Sequence, residues 1–279
     1  MMMPADVEFA NVSDPGRKRP HNEDSSVTDR HLGLALVADG MGGYKAGEVA
    51  SAIAAKAVVD GVREGGGKHR FVRAQRGNGQ ASSAEAQLIR ECIQAANKHI
   101  YDTAHALPQC QGMGTTIVAA MFSLGRVTIA HVGDSRIYRY RGGELKQVTS
   151  DHSLVQELID RGFFTPEEAQ ANTPKNLVTR ALGIDEHVEV DVQELETEAG
   201  DIFLLCSDGL NDMVNDEEIR LTLSKYSANL FQAAQELVRL ANQGGGKDNI
   251  SVVLARPRQA QSGRAGLLAK VMGLFTRRS

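Results

Sequence analysis

Three aspartates in this sequence directly follow short apolar runs that predict β-strands. Asp39 follows LALVA, Asp134 follows VTIAHVG and Asp208 follows IFLLCS, while a fourth, Asp248, comes just before ISVVLA. Residues at strand ends gather along one rim of a sheet, where several carboxylates together would force some to protonate unless a cation neutralised them. We expect a site for Mg²⁺ or Mn²⁺, because Zn²⁺ would recruit Cys or His, which these segments lack in ligand spacing.

Each aspartate taken singly is weak evidence for a site, because Asp-Gly is a common turn and Asp beside a strand is ordinary. The four aspartates taken together favour a functional site over ordinary turns. The pattern extends to Asn22-Glu23-Asp24, preceded by Arg19, and to Asp39-Gly40-Met41-Gly42-Gly43. Glycines in such a loop let backbone groups approach an ion or a phosphate.

The size and composition favour one domain with appendages. The chain has 279 residues, of which 42% are hydrophobic and 24% charged. No apolar run reaches the roughly 18 residues of a membrane span, and the first residues do not resemble a signal peptide. The three cysteines, Cys92, Cys110 and Cys206, are far apart and form no CxxC motif. We therefore expect a soluble, cytoplasmic protein in a reducing compartment.

The charge is divided unevenly along the chain. The net charge is −4, and the six charged side chains after Ala255 are all Lys or Arg, so residues 1–255 carry −10 by difference. This balance argues against bulk nucleic-acid binding. The acidic body indicates either simple solubility or carboxylates collected around cations.

The elements that must position these residues can be read from apolar periodicity and turn signals. The antiparallel meander formed by residues 115–148 makes a purely parallel sheet unexpected. A Gly-rich, basic stretch at 64–82 is interpreted as a flexible insertion. The predicted strands cover 32–37, 115–122, 127–132, 137–140, 145–148, 202–206 and 250–255, and the predicted helices cover 46–62, 82–106, 152–161, a segment after Thr165-Pro166, 216–224 and 228–242.

Eight short motifs occur in one order between residues 19 and 251, and this ordered set is far more specific than any one of its members. They are RPHNED (19–24), VADGMGG (37–43), GTT (114–116), VGDSR (132–136), TSDHS (149–153), LVTRALG (177–183), CSDGL (206–210) and KDNIS (247–251). In these motifs the sequence resembles the PPM family of metal-dependent protein serine/threonine phosphatases, the protein phosphatase 2C type, and especially its compact bacterial members.

The resemblance implies an α+β fold, a four-layer α-β-β-α sandwich with two central antiparallel sheets flanked by helices. A phosphatase catalytic domain would occupy residues 1–256, with a flap-like segment at about 150–183. Residues 257–279 would form a linker and a short basic tail.

The resemblance also implies the roles of individual residues. Asp39 would bridge two Mn²⁺ or Mg²⁺ ions, and a hydroxide between them would attack the phosphoserine or phosphothreonine ester. Asp134, with Asp208, would match a weaker third metal position, Arg19 would bind the phosphate, and Asn249 would orient the site. The full set of implied metal ligands is Glu23, Asp24, Asp39, the carbonyl of Gly40, Asp134, Asp208 and Asp248.

The general acid is where the sequence departs from part of the family. Animal members carry His directly after the Asp-Gly pair, where this chain has Met41. A metal-bound water or the neighbouring His21 is then expected to protonate the leaving alkoxide. No protein nucleophile is needed when metal-activated water attacks the ester. This explains why no Cys-x5-Arg loop occurs, since Cys206 has no arginine at the sixth place after it.

Other interpretations stay open at this stage. A catalytically silent phosphoprotein-binding module of the same fold and a metal-dependent phosphohydrolase of small molecules are the alternatives. His131 in an apolar strand is expected to be a core histidine, and His152 a loop residue rather than a catalytic one.

The expected partners are phosphorylated proteins, opposed to a Ser/Thr kinase, for a monomer that binds no nucleic acid. The apolar residues of the tail recur at helical spacing between 264 and 278 with basic neighbours. That pattern is compatible with an anionic membrane surface, with docking on a partner or on the chain itself, or with a solvated tail.

Overall fold

The computed structural model describes residues 6–43, 45–68, 83–165, 168–169, 174 and 177–258. In chain order its strands are β1 (Asp6–Asp14), β2 (Ser25–Asp29), β3 (Leu34–Ala38), β4 (Gly40–Met41), β5 (Gly114–Thr115), β6 (Ile117–Ser123), β7 (Arg126–Val132), β8 (Arg136–Arg141), β9 (Glu144–Gln147), β10 (Asp191–Glu196), β11 (Ile202–Cys206) and β12 (Ile250–Arg258). The helices are α1 (Ala46–Lys68), α2 (Ala84–Ala106), α3 (Leu154–Asp160), α4 (Asp208–Asn211), α5 (Asp216–Lys225) and α6 (Leu230–Gln243), with a 3₁₀ turn at Pro108–Cys110.

The strands form two antiparallel five-stranded sheets. The first has the order β1-β12-β11-β8-β9 and the second the order β10-β7-β6-β3-β2, while β4 and β5 make a small separate pair. In the register of the second sheet, Ser25 at the start of β2 lies opposite Ala38 at the end of β3. In the first sheet, Cys206 at the end of β11 lies opposite both Val252 and Arg136.

Three apolar layers hold four layers of secondary structure together. One lies between α1, α2 and the second sheet, the next between the two sheets, and the third between the first sheet, α5 and α6. A strand covered on both faces is apolar throughout, and all five residues of β3 and of β11 are indeed buried. The four-layer sandwich expected from the resemblance is therefore confirmed.

Side-chain caps start several of the helices. Ser83 accepts a hydrogen bond from the backbone N–H of Ala86 at 3.0 Å at the start of α2. Asn215 and Glu218 bond each other's backbone N–H groups at the start of α5, which is a complete capping box. Such caps satisfy N–H groups that a helix leaves unpaired in its first turn.

Several predicted boundaries were wrong. Helix α1 continues to Lys68, so the first five residues of the predicted insertion are helical, and the rest of it lies outside the described residues. Strand β12 continues to Arg258 rather than ending at Ala255, because β1 pairs with it along its whole length and Pro257 lies beyond the stretch that pairs with β11. The prediction also missed β1, β2, β4 and β10.

None of the helices in the described ranges is long and apolar enough to cross a membrane. The predicted helix after Thr165 lies mostly outside those ranges. At its start, Thr165 and Glu168 exchange the two side-chain to backbone bonds of a capping box.

Candidate active site

The predicted acidic residues meet at one end of the sandwich. Asp39 follows β3, Asp134 lies between β7 and β8, and Asp208 begins α4 directly after β11. Asp24 and Asp248 stand just before β2 and β12, and the antiparallel registers bring those strand starts to the same end. The loops of both sheets therefore contribute carboxylates to one place.

Burial and mutual repulsion raise the pKa values of these carboxylates. Burial raises the pKa of Asp24 to about 6, of Asp134 to about 6 and of Asp208 to about 8, and neighbouring carboxylates add to each shift. Burial, followed by the charges of Asp24 and Asp208, raises the pKa of Asp39 well above its ordinary value. Ionised together, these groups repel one another unless positive charge lies between them.

Two oxygens of this cluster have no hydrogen-bond partner among the residues that the structure describes. Oδ1 of Asp24 and Oδ1 of Asp208 are buried and accept no hydrogen bond from the described residues. The other oxygen of Asp24 accepts from Ser207 Oγ at 2.8 Å, which fixes the carboxylate. A buried carboxylate oxygen without a donor is costly, and a hard divalent cation is the partner that oxygen ligands of this kind suit. The residues present therefore fit the implied metals.

Two threonines of the GTT motif, to which the sequence analysis gave no role, hold the backbone of Asp39. The Asp39 carbonyl accepts from the Thr116 N–H at 2.9 Å and from Thr115 Oγ1 at 2.8 Å, while the Asp39 N–H donates to Thr116 Oγ1 at 3.2 Å. Thr116 Oγ1 also lies 2.7 Å from Oγ of Ser135, the residue after Asp134. The GTT motif was the available signal, because it places two hydroxyls beside the strand that pairs with β4.

Two glycines allow α1 to approach the site. A Cβ on Gly40 would lie 2.1 Å from the Gly47 carbonyl oxygen, and a Cβ on Gly47 would lie 2.7 Å from Glu23 Oε2. Ser51 of α1 also donates to the Glu23 carbonyl at 2.6 Å. Burial is the largest cause of the raised pKa of Glu23. Any side chain at position 40 or 47 would therefore displace the start of α1 or Glu23.

Asn249 ties the N-terminal loop to the start of β12. Its Oδ1 accepts from the Glu23 N–H at 2.8 Å, and its Nδ2 donates to the carbonyls of Pro15 at 3.0 Å and of His21 at 2.9 Å. Asn249 itself is buried. Its bonds restrain the loop that carries Arg19, His21 and Glu23, as the expected orienting role requires.

Arg19 lies beside the cluster and is half exposed. Its Nη2 donates to Asp248 Oδ2 at 2.6 Å, and this bond is the main cause of the raised pKa of Arg19. A guanidinium has five N–H donors, so Arg19 keeps others for a phosphate. The His21 side chain is exposed at the same loop.

Cys206 does not belong to the reactive groups. It is fully buried in β11, and burial raises the pKa of its thiol to about 12. A thiol of this kind is inert at neutral pH. The site therefore contains acids, an arginine and hydroxyls, and it opens into a cleft of about 720 Å³ between α3 and residues 211–218 that Asp134 and Asp208 line.

Comparisons with known proteins show the family of this chain. The family model of protein phosphatase 2C matches residues 17–250. The serine/threonine phosphatase stp of Listeria monocytogenes is 38% identical over 256 residues, which cover 90% of this chain and 96% of that protein.

Solved structures of relatives have the same fold. The serine/threonine phosphatase PstP/Ppp of Mycobacterium tuberculosis aligns with a TM-score of 0.79 and 37% identity over 91% of this chain and 99% of that one. A catalytic domain of PstP in complex with two manganese ions aligns with a TM-score of 0.75 and 38% identity, over 90% of this chain and 97% of that one. The chain belongs to the protein phosphatase 2C family.

Proposed function

We propose that this chain is a protein serine/threonine phosphatase that hydrolyses phosphoserine and phosphothreonine esters with Mn²⁺ or Mg²⁺ as cofactor. The observation that carries the proposal is the buried aspartate cluster with two unpartnered oxygens at the mouth of a cleft. Its relatives support it, since they are named serine/threonine phosphatases and a PstP catalytic domain holds two manganese ions.

Each acidic residue has a proposed place in the cofactor site. Asp39 would serve two ions, with the Gly40 carbonyl as a further ligand, and Asp208 and Asp248 would complete the pair. Glu23 and Asp24 would hold an ion directly or through water. Asp134, together with Asp208, would hold a third ion more weakly.

The chain's own residues would bind and orient the substrate. When bound, the cations supply the chemistry of activating water as a nucleophile near neutral pH. Arg19 would hold the phosphate through its planar donors, and Asn249 would fix the loop that carries Arg19. His21, exposed on that loop, would give a proton to the leaving serine or threonine oxygen.

The physiological setting is proposed by the same reasoning. We expect a monomeric cytoplasmic enzyme that reverses the action of a Ser/Thr kinase. A panel of a phosphopeptide, a nucleotide and a cyclic dinucleotide tests the substrate class. Turnover of the nucleotide alone would favour a small-molecule phosphohydrolase, and turnover of none would favour a silent phosphoprotein-binding module.

The cofactor is tested by chelation. EDTA should abolish hydrolysis of a phosphothreonine peptide, and Mn²⁺ or Mg²⁺ should restore it, because oxygen ligands suit hard cations. Asp39→Asn should lower kcat at least about 100-fold, since it weakens the ions that activate water. The matched control is Asp102→Asn on the exposed face of α2, which should keep full activity. Restoration by Zn²⁺ alone, or normal turnover of folded Asp39→Asn, would refute the proposal.

A further inference from the structure

His152 is joined to the residue before Asp134 by two reciprocal hydrogen bonds. The His152 N–H donates to the Gly133 carbonyl at 3.0 Å, and the Gly133 N–H donates to His152 Nδ1 at 3.1 Å. Both groups lie in the interior, with His152 9% exposed. The ring therefore supplies the acceptor of a buried backbone N–H one residue from a proposed metal ligand.

The Gly133 contact assigns the tautomer of the ring. Because Nδ1 accepts a backbone N–H, the proton of the neutral ring is on Nε2, which faces Asp191 Oδ2 at 3.4 Å. Arg180 Nη1 lies 3.1 Å from Nε2 and donates to Asp191 Oδ1 at 2.9 Å. His131 stacks on the ring with centroids 4.6 Å apart, and its Nε2 donates to the Ser150 carbonyl at 2.8 Å.

These neighbours do not suit a cation of their own. Donor atoms of His131, His152 and Asp191 lie within 4.8 Å of one another, the spacing of a metal site. However, the two rings are stacked at 19°, so their lone pairs run side by side rather than converging on one point. Arg180 already supplies the positive charge that Asp191 needs. The cluster therefore holds His152 in place.

The residues on both sides of Asp134 are hydrogen-bonded to one segment, residues 151 and 152. Before it, Gly133 is held by His152. After it, the Arg136 guanidinium donates to both carboxylate oxygens of Asp151, at 2.7 to 3.0 Å. Gly133 has a φ of +107°, and a Cβ there would lie 2.6 Å from Thr116 Cβ, so the loop has little freedom to adjust if a bond is lost.

Residues 152 and 154 are also hydrogen-bonded to the chain that follows α3. The Thr179 N–H donates to the His152 carbonyl at 2.8 Å, and the Leu154 N–H donates to the Leu177 carbonyl at 2.9 Å. Residues 152–154 thus connect the Gly133 backbone to residues 177–179.

We infer that His152 is a positioning residue: its Nδ1 holds the Gly133 backbone and thereby sets the orientation of Asp134 as a cation ligand. The inference rests on the proposed function, because it needs Asp134 to bind a cation. It assigns to His152 a task distinct from proton transfer, which its burial and occupied nitrogens do not suit.

Isothermal titration calorimetry with Mn²⁺ alone tests the inference by measuring the Kd for Mn²⁺ in two variants, His152→Asn and His152→Gln. In His152→Asn the side-chain oxygen can take the place of Nδ1, whereas the longer side chain of His152→Gln reaches the place of Nε2. We expect His152→Gln to weaken the Asp134-dependent Mn²⁺ site about tenfold, as loss of an acceptor for a buried N–H implies. His152→Asn should stay within about twofold of the wild type, a difference that a general loss of stability would not produce.

Two further variants separate the possible failures. Asp191→Asn should leave Mn²⁺ binding unchanged. If this variant bound one ion fewer, Asp191 would be a cation ligand together with the neighbouring His152, and the inference would be overturned. Asp134→Asn should remove the weak site. Unchanged binding there would overturn the third cation site and the inference with it, whereas an effect of Asp134→Asn combined with normal binding by His152→Gln would overturn the inference alone.

The wild-type protein provides a measurement that does not depend on folding of a variant. In an NMR titration with Mg²⁺, the Gly133 amide and the His152 imidazole should shift with one apparent Kd, equal to that of the Asp134-dependent site. A His152 ring that does not respond as this site fills would overturn the inference.

Discussion

Arg19 bonds one carboxylate of the acidic cluster, and we propose that its remaining donors bind the substrate phosphate. Its guanidinium bonds Asp248 at 2.6 Å while more than half of the side chain stays exposed toward solvent. An exposed ion pair of this kind contributes about 0–1 kcal/mol to stability. The ion pair therefore places a planar donor beside the acidic cluster and contributes little to the stability of the fold.

Arg19→Ala should lower kcat/KM for a phosphopeptide about 10- to 100-fold, the effect of losing a charge-assisted hydrogen bond worth about 1.5–3 kcal/mol. Arg19→Lys should recover only part of that loss, because an ammonium does not make the bidentate contact. Steady-state kinetics with both variants measure the effect, and thermal melting confirms that they fold. Unchanged kinetics in Arg19→Ala would place this residue outside substrate binding.

His21 is tested through the acidity of the leaving group. If its imidazole protonates the departing alkoxide, His21→Ala should slow hydrolysis of a phosphoserine peptide far more than that of p-nitrophenyl phosphate, whose phenolate leaves without help. The comparison of kcat for the two substrates, in wild type and variant, is the measurement. Equal losses on both would indicate that His21 only supports the loop held by Asn249.

Three of the four edge strands of the two sheets were not predicted from the sequence. Strand β11 was predicted with its observed ends because five consecutive buried residues give a clear apolar run. Strands β1, β2 and β10 are all edge strands, and neither β2 nor β10 has a fully buried residue. Edge strand β9 was found because Gly142-Gly143 marks its hairpin with β8. Local turn chemistry is visible in a sequence, whereas pairing between residues 6–14 and 250–258 is not.

We expect His131 in β7 to make the stability of the protein depend on pH. Burial lowers the pKa of His131, and burial together with the charges of His131 and Arg180 lowers that of His152, while Asp191 opposes both shifts. A histidine kept neutral in the folded state stabilises it fully above the ordinary pKa of 6.5, and this contribution is lost as the pH falls below that value.

Urea unfolding in EDTA between pH 7.5 and 5 should therefore show the free energy of unfolding falling with pH more steeply in the wild type than in His131→Gln. The difference in slope should approach at most about 1.4 kcal/mol per pH unit, the limit for one proton. Glutamine can still donate to the Ser150 carbonyl, so the variant removes the titration and keeps the bond. His187→Gln, at an exposed position, should follow the wild type. Parallel curves for His131→Gln and wild type would contradict the expected proton uptake.

The sequence predicted that the aspartates meet at one end of the sandwich, because Asp39, Asp134 and Asp208 each follow a predicted strand, and the four layers came with the family resemblance. Their role as metal ligands stays a prediction. What the sequence could not show is how closely the aspartates approach. The raised pKa of Asp208 and its unpartnered oxygen arise only when loops from two sheets meet. The Thr116–Ser135 contact likewise joins the residue before β6 to the loop between β7 and β8, and neither segment alone signals it.

The division of charge between body and tail yields a prediction about the whole chain. The residues proposed for the site all lie between positions 19 and 249, and β12 is held to β1 as far as Arg258, with Arg256 donating to Glu8 at 2.7 Å. Removing residues 259–279, which lie outside the described part of the chain, should thus leave kcat and KM for p-nitrophenyl phosphate unchanged.

The same truncation decides whether the tail binds membranes. Its apolar residues between Leu267 and Phe275, with Lys270, Arg277 and Arg278 among and beyond them, have the composition of a segment that rests on an anionic surface. The intact protein should then co-sediment with anionic lipid vesicles at low salt more than the truncated protein does. The excess should disappear with neutral vesicles or at high salt, because such binding is electrostatic. Equal sedimentation of the two proteins at low salt would eliminate the membrane hypothesis and leave docking on a protein surface or a solvated tail.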